Sequence, residues 1–150
     1  MELKYLNKYP NFKIIVEQVV ENSHLQKLKI LKFHKNLGKS YFDKAEEFSI
    51  NFKKYLENEK INLKVPVKAY LKMCADMMIS HLYFYKYKKY PISNQKDAFE
   101  NVYNNKDEMR SYVFGIAISQ FLWPTHYAMH SFFIEKINNM STNVENYLEI

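Results

Sequence analysis

Apolar residues return at steps of three and four along most of this chain, the period of an amphipathic helix rather than the alternation of a strand. Phe12, Ile15, Val16, Val19 and Val20 mark a helix over residues 11–22. Leu25, Leu28 and Leu31 or Lys32 give one side of a shorter helix over 24–33, and Gly38 interrupts the pattern. Phe42, Ala45, Phe48, Phe52, Tyr55 and Leu56 form the stripe of a helix over 40–59, with Ser40 and Asp43 as its N-cap pair. Pro66 suits the first turn of the next helix, where its missing N–H costs nothing. That helix, over 67–89, stacks Tyr70, Leu71, Cys74, Met77, Met78, His81, Leu82 and Tyr85, and Pro91 ends it. A polar stretch over 93–105 holds a short helix near 98–103. Asn105 and Glu108 then cap a helix over 107–121 that is apolar on nearly all faces and so expected to be central. Pro124 kinks or restarts the helix, and 125–138 follows.

The last segment breaks the period. Residues 140–146 read as a polar linker, and Tyr147-Leu148-Glu149-Ile150 is β-prone. A lone short strand has no partner in an all-helical domain. The pattern therefore predicts a mainly α, bundle-like domain of about six helices over residues 1–139. Residues 140–150 are read as a linker and the first strand of a sheet belonging to a longer protein.

Composition narrows this picture. Aromatics make up 17% of the 150 residues and apolar residues 47%, enough for a core and against disorder. Two glycines, Gly38 and Gly115, are too few for hairpin-rich β folds or for a glycine-rich phosphate loop. Cys74, the one cysteine, lies among Met73, Ala75 and Met77, which predicts a buried and inert thiol. The first residues lack the apolar stretch of a signal peptide. The run from Tyr112 to Trp123 is too short to span a bilayer. No membrane partner and a cytoplasmic location are expected. The net charge of +6 comes mostly from lysines, with Arg110 the one arginine. Specific base readers lean on arginine, and the lysines are scattered, so no nucleic-acid partner is expected.

Three constellations carry candidate chemistry. His126 and His130 share a helix face in His126-Tyr127-Ala128-Met129-His130, but the glutamate of the zinc motif is missing and no metal site is expected. Tyr83, Phe84, Tyr85, Tyr87 and Tyr90 interleave with Lys86, Lys88 and Lys89; stacking and charge could serve nucleic acid, while half core and half solvated lysine is the plainer reading. Trp123 sits at the helix break before Pro124, where a ligand-facing backbone and a packed aromatic corner weigh equally.

Val144-Glu145-Asn146-Tyr147-Leu148-Glu149-Ile150 resembles the first strand of a class I S-adenosylmethionine-dependent methyltransferase, with Glu149 at the acidic position before the family's x-Gly-x-Gly-x-Gly loop. The block from Arg110 to Ile137 is similar to the helices that precede this strand in small-molecule methyltransferases, notably those associated with bacterial surface polysaccharides. The resemblance implies that the helices cap a Rossmann-like sheet in a longer protein. It implies S-adenosylmethionine as cofactor and a small-molecule methyl acceptor as partner, with a homo-oligomer allowed. Glu149 and Tyr127 would contact the cofactor. His126 or His130 would be the base, and Trp123 and Arg110 would line the acceptor site. The glycine loop and the second, ribose-binding acidic residue have no counterpart here, so the chain by itself is expected to bind the cofactor poorly and to lack activity. A frameshift in a G-rich glycine-loop codon run is one expected origin for such a sequence. The alternative expectation is a non-enzymatic helical interaction module.

Overall fold

The computed structural model describes residues 3–140. A 3-10 turn at Lys4–Lys8 leads into α1 (Pro10–Asn22), α2 (His24–His34), α3 (Lys39–Asn58) and α4 (Lys64–Tyr87). Then come α5 (Gln95–Ala98), which runs into a π turn at Phe99–Tyr103, α6 (Lys106–Leu122) and α7 (Pro124–Asn138). The mainly α reading holds for the described residues. The expected strand, and Glu149 with it, lies outside them.

Local chemistry sets the boundaries. Ser23 alone separates α1 from α2: its backbone is extended and its hydroxyl accepts from the Gln26 N–H. Asn105 caps α6 as expected, its Oδ1 accepting from the N–H groups of Asp107 and Glu108. Ser40 does not cap α3. The helix starts one residue earlier behind Gly38, and Asp43 instead accepts from Lys39 Nζ at 2.9 Å. The first turn of α1 is capped from a distance. The Glu46 carboxylate on α3 accepts from the N–H groups of Asn11 and Phe12 and from Asn11 Nδ2, where a negative charge is favoured by the helix dipole.

The core is built on α1 and the α4–α6 pair. Leu6, Phe12, Val16, Val19, Ile30, Tyr70 and Ile118 are its innermost side chains. Leu6, the buried residue of the 3-10 turn, anchors the start of the chain to this core. Helix α6 approaches α4 at Gly115, where a Cβ would lie 3.0 Å from Met73 Sδ and 3.4 Å from the Ala69 carbonyl. It is only partly central, since Tyr112 and Val113 are exposed.

Two predicted stripes differ from the burial. On α2 the buried residues are Gln26, Ile30 and His34, whereas Leu25 and Leu28 face outward. The helix is rolled so that two polar groups reach buried partners, described below. On α4 the buried residues are Pro66, Val67, Ala69, Tyr70 and Met73. From Cys74 onward none is fully buried, because the helix outruns the elements packed on it.

Candidate functional site

The break between α6 and α7 brings Trp123 and His126 together with Ser119 and Tyr70. Pro124 opens α7 and forces Trp123 into an extended conformation (φ −117°, ψ 129°). The Trp123 N–H returns to the Ser119 carbonyl at 2.9 Å. The Trp123 indole Nε1–H donates to the Tyr70 hydroxyl, and that hydroxyl donates to Gln26 Oε1, both at 2.9 Å. Trp123 is therefore a packed corner with one polar edge spoken for, and Gln26 owes its burial to this chain of bonds. Burial pushes the Tyr70 hydroxyl well above its ordinary pKa, so it stays a donor.

His126 lies one turn into α7. Its ring centroid is 4.6 Å from that of Trp123, and its Nδ1 is 2.6 Å from Ser119 Oγ. Ser119 is fully buried, and its Oγ is also 2.7 Å from the Ile116 carbonyl. A serine so enclosed is no nucleophile for an outside substrate. With its proton on the Ile116 carbonyl, Ser119 accepts from His126 Nδ1–H and leaves the Nε2 lone pair free. Burial lowers the His126 pKa, which keeps the ring neutral and able to accept a proton. His130 sits one turn further, T-shaped against Phe121 with ring centroids 5.8 Å apart. Tyr127 packs edge-on against Tyr41 at 4.8 Å and also meets Phe121. His126, Tyr127 and His130 thus share the side of α7 that faces the α6 end.

Arg110 is not brought to this group. It is exposed near the start of α6, over the Phe114 ring, about 20 Å along the helix from Trp123 at the usual helical rise. A groove beside Trp123 is lined by Lys29, Lys32, Cys74, Met77, His81 and Thr125 and has a volume of about 850 Å³. Cys74 is only half-buried there, not enclosed as its neighbours suggested, and burial raises its thiol pKa. Such a thiol is a poor nucleophile at neutral pH.

Sequence reasoning missed His34. It is 4% exposed, with Nδ1 2.8 Å from the Tyr5 hydroxyl and Nε2 3.1 Å from the Tyr41 hydroxyl. Tyr41 donates to the Phe121 carbonyl. One assignment satisfies every group: Tyr5 donates to Nδ1, Nε2–H donates to Tyr41, and Tyr41 donates to the carbonyl. It requires a neutral imidazole, and burial pushes the His34 pKa down to about 4. This relay ties α2 and α3 to the last turn of α6, just ahead of the Trp123 break.

Among the described residues no group of three or more His, Cys, Asp or Glu side chains could hold a metal ion. Of the two residues that the resemblance assigns to the cofactor, Tyr127 packs T-shaped against Tyr41, and Glu149 lies outside the described residues. No family model, curated protein or solved structure matches the chain.

Proposed function

We propose that this chain is the helical, acceptor-side part of an S-adenosylmethionine-dependent methyltransferase acting on a small molecule, such as one used in the assembly of bacterial surface polysaccharides. The observation that carries the reading is α7. This helix directly precedes the segment resembling the family's first strand, and none of its fifteen residues is fully buried. Met129, Phe132, Phe133 and Ile137 stand exposed on it. An apolar helix of this kind is what a cap would lay against a cofactor-binding sheet. In that arrangement the cofactor supplies the methyl group. His126, neutral and with Nε2 able to accept, takes up the acceptor's proton, with His130 as the other candidate. Trp123 and Tyr127 form walls.

Sequencing the gene past codon 150 tests this. A methyltransferase-like sequence with the glycine loop is expected in one of the frames; none in any frame would overturn the reading. Calorimetry gives a second check. Micromolar binding of S-adenosylmethionine by the 150-residue chain would show that the cofactor site had been wrongly assigned to residues elsewhere.

A helical interaction module without chemistry is the second reading. What favours it is the engagement of His126 by Ser119 and Trp123, a use of the imidazole that packing alone explains.

A further inference from the structure

The free end of α4 has no part in the methyl-transfer reading. Beyond Met73 the helix runs on for about 20 Å at the usual rise without a fully buried residue. Leu82 and Tyr85 are 65% and 79% exposed, and Met78, Ile79, Phe84 and Tyr87 are exposed with them. The aromatic and basic run that could have been half core is almost wholly surface.

The chain then doubles back. Lys88 takes the left-handed conformation (φ 56°), and its N–H closes on the Phe84 carbonyl. This lets Tyr90 stack on Phe84 with centroids 4.9 Å apart, and gathers Lys86, Lys88 and Lys89 at the tip. Lys86 Nζ lies 5.0 Å from the Tyr87 ring and Lys88 Nζ 4.9 Å from the Tyr85 ring. From Met77 to Asn94 the chain carries no aspartate or glutamate. The nearest acids along the chain on either side are Asp76, paired with Lys72, and Asp97, hydrogen-bonded to Asn94.

We propose that the end of α4 docks on an anionic phospholipid surface, with its aliphatic and aromatic side chains in the headgroup–acyl boundary and its lysines on the phosphates. No described helix is long and apolar enough to cross a membrane, so the contact is interfacial, and it departs from the sequence-based expectation of no membrane partner in that respect alone. Charge and side-chain type select this occupant. The three lysines of the tip have no acid beside them in sequence, and the acids that share a cleft with Tyr90 and His81, Asp76 and Glu108, are both paired with Lys72; a positive tip fits an anionic surface and sets two copies of itself against each other. Ile79, Leu82 and Met78 have no use in stacking bases but suit acyl chains. Tyrosine and lysine both keep an apolar stem in lipid and a polar end in water.

Cosedimentation of the full chain tests this, using vesicles of phosphatidylcholine with phosphatidylglycerol and vesicles of phosphatidylcholine alone. Binding is expected only where phosphatidylglycerol is present, and it should weaken with added salt. Replacing Lys86, Lys88 and Lys89 together by Gln should weaken it roughly a hundredfold, at about fivefold per lysine. The matched triple Lys35→Gln, Lys44→Gln, Lys54→Gln should change it far less. Leu82→Ser with Tyr85→Ser should also weaken it while the melting temperature holds. Four results would overturn the proposal: no phosphatidylglycerol-dependent binding, equal loss in both lysine triples, tight binding of oligo-dT without vesicle binding, or self-association through Leu82 without vesicle binding.

Discussion

His34 shows what one buried polar residue decides. Its neutral ring completes the Tyr5–His34–Tyr41–Phe121 relay, and protonation would turn the Tyr5 donor against a donor. In the unfolded chain its pKa returns to the ordinary 6.5, whereas in the fold it is about 4. As pH falls through that window, the unfolded state takes up a proton that the folded state refuses. The contribution is present in full above the unfolded value and is lost on the way down to the folded one, a change of about 3 kcal/mol. The lowered pKa of His126 acts with the same sign. Urea midpoints measured from neutral pH down to mildly acid pH should fall accordingly, and His34→Gln should flatten the profile. An NMR titration showing His34 protonated at its ordinary pKa in the folded protein would contradict this. Periodicity could not reveal the relay, because a histidine counts as polar wherever it falls. Only the tyrosines brought from Tyr5 and Tyr41 make its burial sensible.

Among the elements, helices were legible and their faces less so. Apolar spacing located α1, α3, α4, α6 and α7 to within a few residues, and Pro124 and Asn105 marked real boundaries. The α2 leucines misled because hydrogen bonds through Gln26 and His34 outweighed the greasier side. The α4 stripe misled differently: a helical pattern says which residues share a face, not how far a neighbour extends along it. The α4–α6 contact depends on one residue without a side chain. At Gly115, alanine gains about 1 kcal/mol of helix propensity but must push Met73, whose Cβ would be 3.2 Å away. Valine adds bulk with nowhere to go. Gly115→Val should destabilise by about 2 kcal/mol or more, while Gly115→Ala stays near neutral. Thermal melts of the two variants would check the order, and equal melting temperatures would show that the helices stand further apart.

At the scale of the whole molecule, the described residues divide into a packed body and apolar surfaces that they do not cover themselves. The site shares this division. His126, Tyr127 and Trp123 were legible as a group because they fall within one helical turn of a proline break, and the structure does bring them together. Arg110 was assigned by resemblance to a block, and the length of α6 separates it from them. Substitutions should report the same boundary. Ile30→Ala, in the body, should cost about 2–5 kcal/mol. Leu82→Ser and Tyr85→Ser, on the free end of α4, should stay within about 0.5 kcal/mol. Denaturant titrations separate the two classes, and a large loss at Leu82 would mean that the α4 end is covered within the chain.

The Glu46 clamp carries a kinetic consequence. The first amides of a helix ordinarily exchange with solvent by fraying, one residue at a time. Those of Asn11 and Phe12 are held by a carboxylate 35 and 34 residues away, so they open only when α1 and α3 part. Their deuterium uptake should be as slow as that of mid-helix amides, and Glu46→Ala should speed it at these two positions with little effect on the middle of α1. As the chain is synthesised, α1 waits for α3 before its start is fixed, which makes that turn a late and non-local event in folding.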